Sequence, residues 1–107
     1  MSKTADRPTL DEIRACRKEI LRLAAARGAT NVRVFGSVAR GDATPQSDVD
    51  FLVNFEAGRT LFDVSGLILD LEEMLRRKVD VVPFPGALPS PSARRIAEQI
   101  QREAVPL

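Results

Sequence analysis

The chain has 107 residues, is 44% hydrophobic, and carries a formal net charge of +1. Its length fits one domain with a small core, spanning 1–107, and its hydrophobic content excludes a disordered polymer. The near-neutral charge argues against a strongly basic nucleic-acid binder, so direct nucleic-acid binding is not expected. No apolar run is long enough to cross a bilayer, and the N-terminus lacks a signal-peptide core, so no membrane partner is expected. Cys16 is the single cysteine, which rules out an internal disulfide and points to a reducing, cytoplasmic setting. There is no histidine, which removes the usual imidazole base and any His-ligated zinc. Thirteen of the sixteen cations are arginine, a residue suited to bidentate contacts with phosphate, although most surface arginines need no such partner.

Residues 1 to 8 read as a frayed start. Thr9 and Glu12 have the spacing of a capping box, so a helix should begin there. Leu10, Ile13, Cys16, Ile20, Leu23 and Ala24 make its apolar stripe, and Gly28 suits its end. Asn31 to Phe35 alternates and is valine-rich, so it reads as a strand that Gly36 breaks. Ser37 to Arg40 can form a short helical turn closed by Gly41, with a polar loop from Asp42 to Gln46. Asp48 to Phe55 is the second strand, apolar enough to be central. Thr60, with Asp63 three residues on, opens a helix whose apolar side is Leu61, Val64, Leu67, Ile68, Leu71, Met74 and Leu75. Val79 to Val82 is a short third strand. Pro83, Pro85, Pro89 and Pro91 then exclude regular structure through about residue 90. Ser90-Pro91 can open a last helix with Ala93, Ile96, Ala97 and Ile100 as its buried side. Strands separated by helices on so short a chain indicate an α/β or α+β domain, a small mixed sheet flanked by helices.

The stretch from Gly36 to Asp50 holds most of the chemistry. Gly36 lets the backbone turn sharply without a Cβ in the way. If Ser37 opens a helical turn, free N–H groups there can receive phosphate oxygens, and its hydroxyl adds a donor. Alone, a glycine and serine after a strand are more often just a turn. Asp48 and Asp50 say more, because residues i and i+2 of a strand share a face. Two such carboxylates repel, and a magnesium ion between them relieves the repulsion and keeps positions open for substrate phosphates. Two ions could clamp the attacking and leaving oxygens of a displacement. An isolated pair of this kind is commonly a solvent-facing edge, but the apolar neighbours here argue otherwise. Asp80, in the third strand, reaches the same place if that strand lies beside the second. A carboxylate is then the natural base, since no histidine is present. Asp63 and Asp70 compete for the role but fall on the solvated side of their helix.

Gly36-Ser37-Val38-Ala39-Arg40-Gly41, then Ser47-Asp48-Val49-Asp50, then Asp80, resembles the minimal nucleotidyltransferases of the polymerase-β-like superfamily. The likeness covers nearly the whole chain and implies the nucleotidyltransferase fold. It implies Mg²⁺, two ions, and ATP as substrate, with in-line attack on the α-phosphorus and pyrophosphate leaving. By that resemblance Gly36 and Ser37 hold the β and γ phosphates, Asp48 and Asp50 ligate the metals, and Asp80 completes the set and assists the acceptor. Arg40 and Ser47 match motif positions as well. Arg40 is equally a phosphate contact or an ion-pair partner of Asp42, and the alternative for Ser47 is a simple cap of the loop before the strand.

Larger relatives carry a further domain for the acceptor, and 107 residues leave no room for one. The resemblance therefore implies an antitoxin that adds AMP to a tyrosine of a HEPN-type ribonuclease toxin, a hetero-oligomeric partner. The alternatives are a non-catalytic antitoxin that masks its partner, and a nucleotidyltransferase of antibiotic-like small molecules. A DNA polymerase is disfavoured by the charge.

Overall fold

The structure, a computed structural model, describes residues 7–84 and 91–107. Thr9 and Glu12 form the expected capping box, each side chain accepting the other residue's backbone N–H at 3.2 Å. The helix they open is divided in two, α1 (Leu10–Ala15) and α2 (Arg17–Ala26). At Cys16 the backbone tightens. Its N–H bonds Ile13 O at 3.0 Å, three residues back, while its own carbonyl accepts Ile20 N at 3.0 Å. No glycine or proline marks this break, so the sequence reads through it. Ile13, Ile20 and Ala24 are buried, and Cys16 packs at the margin of the core. Pro8, assigned to a frayed start, is fully buried.

Strand β1 runs Ala29–Phe35, two residues longer at its start than its alternation indicates. The reason is a bulge. Asn31 adopts φ 53°, the left-handed conformation asparagine tolerates best among side-chain-bearing residues, and the register slips between Thr30 and Arg33. Helix α3 (Gly36–Arg40) follows, then β2 (Val49–Phe55), α4 (Leu61–Leu75), β3 (Val79–Pro83), α5 (Pro91–Glu103) and β4 (Val105–Pro106). The sheet order is β3-β2-β1-β4. The β1–β2 and β1–β4 pairs are antiparallel, whereas β2–β3 is parallel, with α4 as the crossover a parallel pair requires. The expected mixed sheet flanked by helices is thus present.

Alternation divides the sheet into two faces. Val34, Val49, Phe51, Val53, Val79 and Val81 are buried together with Ile20, Leu67 and Leu71 under α2 and α4. Asp50, Leu52, Asn54 and Asp80 take the other face. Leu52 is fully buried there. At that face's far end Arg33, only 8% exposed, donates to Asn54 Oδ1 at 2.6 Å and Asn31 O at 3.1 Å, and stands 5.9 Å from the centre of the Phe84 ring. Burial lowers its guanidinium pKa.

Two expectations near the C-terminal end need correction. Pro83 belongs to β3, on the sheet's edge, where a missing N–H costs no ladder bond. Ile96, placed on the buried side of α5, is 60% exposed. Ile100 is half-buried. Ala93, Ala97, Ser90, Pro85 and Pro89 lie outside the residues described in side-chain detail. The C-terminal strand β4, which no periodicity announces, is clasped by Arg14 Nη2 on Pro106 O at 2.8 Å. Among the described residues no helix is long and apolar enough to cross a membrane.

Arg76 ends α4 at φ 59°, the conformation glycine adopts without a Cβ penalty. Replacing it by glycine should raise stability by about 0.5–1 kcal/mol, less than the full left-handed penalty because the unfolded chain also gains freedom. Urea unfolding of Arg76→Gly against the parent chain measures this.

Candidate active site

Three elements converge at one end of the open face of the sheet. β2 supplies Asp50, with Asp48 just before it, β3 supplies Asp80, and α3 supplies Gly36, Ser37 and Arg40. The parallel register sets Asp50 directly opposite Asp80, so their side chains leave the sheet on one face. Antiparallel pairing sets Phe35 on the other flank of Asp50, which brings Gly36 against it. The aspartates, expected to share a site only if the third strand lay beside the second, are therefore brought together.

Their electrostatics are strained. Burial raises the Asp50 carboxyl from its ordinary 3.8 to about 6, and the charges of Asp80 and then Asp48 push the same way. Arg40 opposes them, so its guanidinium is close enough to act on Asp50. Arg40 also pairs with Asp42 at 3.3 Å, both side chains largely exposed. The expected ion pair and a field at the aspartates thus coexist in one residue. Among the described residues, no group of three or more His, Cys, Asp or Glu side chains is drawn tightly enough to hold a metal ion unaided.

Helix α3 starts without a side-chain cap, since Phe35 offers no acceptor. It ends on Gly41 at φ 84°, with Gly41 N and Asp42 N both bonded to Ser37 O, at 2.9 and 3.0 Å. The next loop is pinned by Ser47, whose hydroxyl accepts Thr44 N at 2.8 Å, while Ser47 N bonds Thr44 O at 3.0 Å. Ser47 thus has the loop-closing position considered for it, just ahead of Asp48. A cavity of about 270 Å³ opens between the α1 start and α3, with Arg40 in its wall beside Val38 and Ala43.

Asp63 and Asp70, the competing carboxylates, are engaged elsewhere. Asp63 accepts Thr60 N at 3.1 Å and pairs with Arg59, and Asp70 pairs with Arg27 at 3.1 Å. One support of the site, and one reason for a residue already named, went unread in the sequence. Glu72, on α4, accepts Val79 N at 3.1 Å and so fixes the outer edge of the strand carrying Asp80. Gly36, at φ 76°, is needed for clearance as well as for its turn, because a Cβ there would collide with Oδ2 of Asp50.

A family model described as a nucleotidyltransferase domain matches residues 13–103. The chain belongs to that family. Within it, a solved structure described as a minimal nucleotidyltransferase is 50% identical, covers 94% of this chain and 97% of its own, and superposes with a TM-score of 0.77. A curated protein of Methanocaldococcus jannaschii, named as a protein adenylyltransferase, is 32% identical over 87% of this chain and 95% of its own length. The protein adenylyltransferase MntA of Thermococcus cleftensis is 38% identical over 73% of this chain and 74% of its own. A chain from a toxin–antitoxin structure with AMP-PNP is 20% identical, covers 83% of this chain and 69% of its own, and shares the fold at a TM-score of 0.68. The minimal nucleotidyltransferase fold and the enzyme class expected from the motif are thereby established.

Two measurements probe the site without any substrate. Asp50 binds its proton more tightly folded than unfolded, so its contribution to stability is complete below about pH 3.8 and lost as pH rises through about 6. At neutral pH the ionised group is a cost, worth about 1 kcal/mol once solvent screening at this partly exposed site is allowed for. Asp50→Asn should therefore be more stable than the parent at pH 7, with the difference closing towards pH 4, in urea unfolding across that range. Gly36→Ala should cost about 1–3 kcal/mol. In an Asp50→Ala background the cost should fall, because only the backbone penalty remains, and a double-mutant cycle of unfolding free energies reads the difference.

Proposed function

We propose that this nucleotidyltransferase is a Mg²⁺-dependent protein adenylyltransferase that moves AMP from ATP to a tyrosine hydroxyl of a HEPN-type ribonuclease toxin and silences it. In this reading the chain is a single domain that works in the cytoplasm as the antitoxin of a hetero-oligomer. The observation that carries the chemistry is the parallel register that holds Asp50 beside Asp80, with Asp48 acting on the same carboxylate. The charges of Asp80 and Asp48 bear on the Asp50 carboxylate, and a hard divalent cation that takes its remaining ligands from substrate phosphates would relieve them. The protein acceptor is supported by the names of the two curated relatives, and the antitoxin role by the fold shared with the toxin–antitoxin chain.

Asp48, Asp50 and Asp80 would hold the metal, as two ions. Bound magnesium supplies charge neutralisation at the triphosphate and at the departing pyrophosphate. The uncapped N–H groups at the start of α3, with the Ser37 hydroxyl, receive β- and γ-phosphate oxygens, and Gly36 lets the backbone come close. Arg40 turns from Asp42 towards the same oxygens, and Ser47 keeps the loop before Asp48 in place. Asp80, exposed on the edge strand, stands where an incoming hydroxyl arrives. It takes the phenol proton as the oxygen bonds the α-phosphorus and the bond to pyrophosphate breaks. The products are the tyrosyl-AMP ester and pyrophosphate.

The test is to incubate the chain with the product of its neighbouring gene, Mg²⁺, and ATP labelled at the α-phosphate. Label should move to a tyrosine of the neighbour and release its toxicity. Asp48→Asn with Asp50→Asn should abolish both, and Asp80→Asn should slow transfer by roughly 10²–10⁴-fold. An antitoxin that only masks its partner would still neutralise with both aspartates replaced, and that result would overturn the proposal.

A further inference from the structure

Arg33 is the one charged side chain buried among the described residues, and no carboxylate there pairs with it. The segment 85–90, which follows Phe84, contains no Asp or Glu. A guanidinium taken out of water without a counter-charge is held at a cost, and its pKa falls accordingly. An apolar side chain of similar length would avoid that cost.

What the guanidinium has instead is a set of directed contacts. Nε donates to Asn31 O at 3.1 Å and Nη2 to Asn54 Oδ1 at 2.6 Å, an oxygen that also accepts Asn31 Nδ2 at 3.2 Å. The bulge at Asn31 lies just before Arg33, and a bulge re-aims the side chains beside it. The charge also stands 5.9 Å from the centre of the Phe84 ring, within the range of cation–π attraction. Arg33 thus links its own strand β1 to Asn54 of β2 and to the residue that follows β3.

β3 is the strand with most need of such a hold. It has five residues, lies on the edge of the sheet, and has β2 as its one neighbour. Asp80 on it and Asp50 on β2 repel each other. Glu72 ties its upstream end through Val79 N. Its downstream end is tied by Phe84 N to Val53 O at 2.8 Å, and past that bond by the contact of the Phe84 ring with Arg33. Buried apolar residues set the register of the two strands, but the end of an edge strand is still free to fray. We propose that Arg33 is a positioning residue: by gripping Asn54 and the Phe84 ring it pins the downstream end of β3 and so keeps Asp80, four residues upstream, opposite Asp50. Its bearing on transfer rests on the role proposed for Asp80.

Amide hydrogen exchange of the chain alone, together with transfer of labelled AMP to the product of the neighbouring gene, tests this. Arg33→Met removes the charge and keeps the length, so the thermal midpoint should not fall. The Phe84 amide should nevertheless exchange on the order of tenfold faster, while the amides of Val34 and Phe51 in the central strands keep their parent rates. Phe84→Leu keeps an apolar contact and loses the ring face. It should speed exchange at residue 84 in the same way, and the double variant should be no looser than Arg33→Met alone. Transfer should fall by about 10–10²-fold in Arg33→Met. Arg33→Lys should not restore it, because an ammonium carries the charge without the planar fork. Exchange at Phe84 that matches the parent in Arg33→Met overturns the proposal whatever the transfer assay gives, and so does a loosened β3 with transfer at the parent rate. If both variants speed all amides together, Arg33 serves overall stability and the positioning role is refuted. A parent chain that labels no neighbour counts against the proposed function, and the exchange rates still decide the anchor.

Discussion

Carboxylates on neighbouring strands repel, and the parallel register of β2 and β3 gives Asp50 and Asp80 little freedom to part. Much of the molecule is arranged around that constraint. The strands can lie side by side in the same direction only because α4 carries the chain back across the sheet. They stay there because Val49, Phe51, Val53, Val79 and Val81 are buried on the reverse face against α2 and α4. A slip of one residue in either strand would send the aspartates into that core and the valines into water. The hydrophobic pattern thus fixes where the charges stand.

The site's cost and its use have the same origin. Asp50 is half-buried beside two like charges, and its carboxyl titrates near 6, within reach of neutral pH. A fold selected only for stability would place an amide or an apolar residue there. What the arrangement gains is a carboxylate, Asp50, that faces the start of α3, which no side chain caps, across a short gap. Gly36 makes that gap narrow, since any larger residue would press on the Asp50 carboxylate.

The supports lie outside the motif. Glu72 ties α4 to the outer edge of β3, and Arg27 and Arg59 lie over Gly66 and Gly28. The arginine contacts join residues far apart in the chain and the Glu72 bond crosses the turn from α4 to β3, and no local pattern marks either. The Cys16 tightening, the Asn31 bulge and the β4 strand escaped the sequence for related reasons. Each depends on what the rest of the fold demands at that point rather than on the propensity of the residues involved. The helix caps at Thr9 and Thr60 were legible because a cap is satisfied within four residues.

By itself the sequence determined the main helices and strands, the two faces of β2, and the spacing of Gly36, Ser37, Asp48 and Asp50, because periodicity and chain continuity act over a few residues. It could name Asp80 only as a candidate, since nothing local says which strand lies beside which. The tertiary structure decided that Asp80 stands opposite Asp50, that Asp63 and Asp70 are occupied elsewhere, and that Arg40 acts on the aspartates while paired with Asp42. The same is true of α4, whose apolar spacing includes Leu61 as if it were core. Which apolar residues are buried depends on where the sheet lies, and the sheet leaves Leu61, Phe62 and Leu69 uncovered.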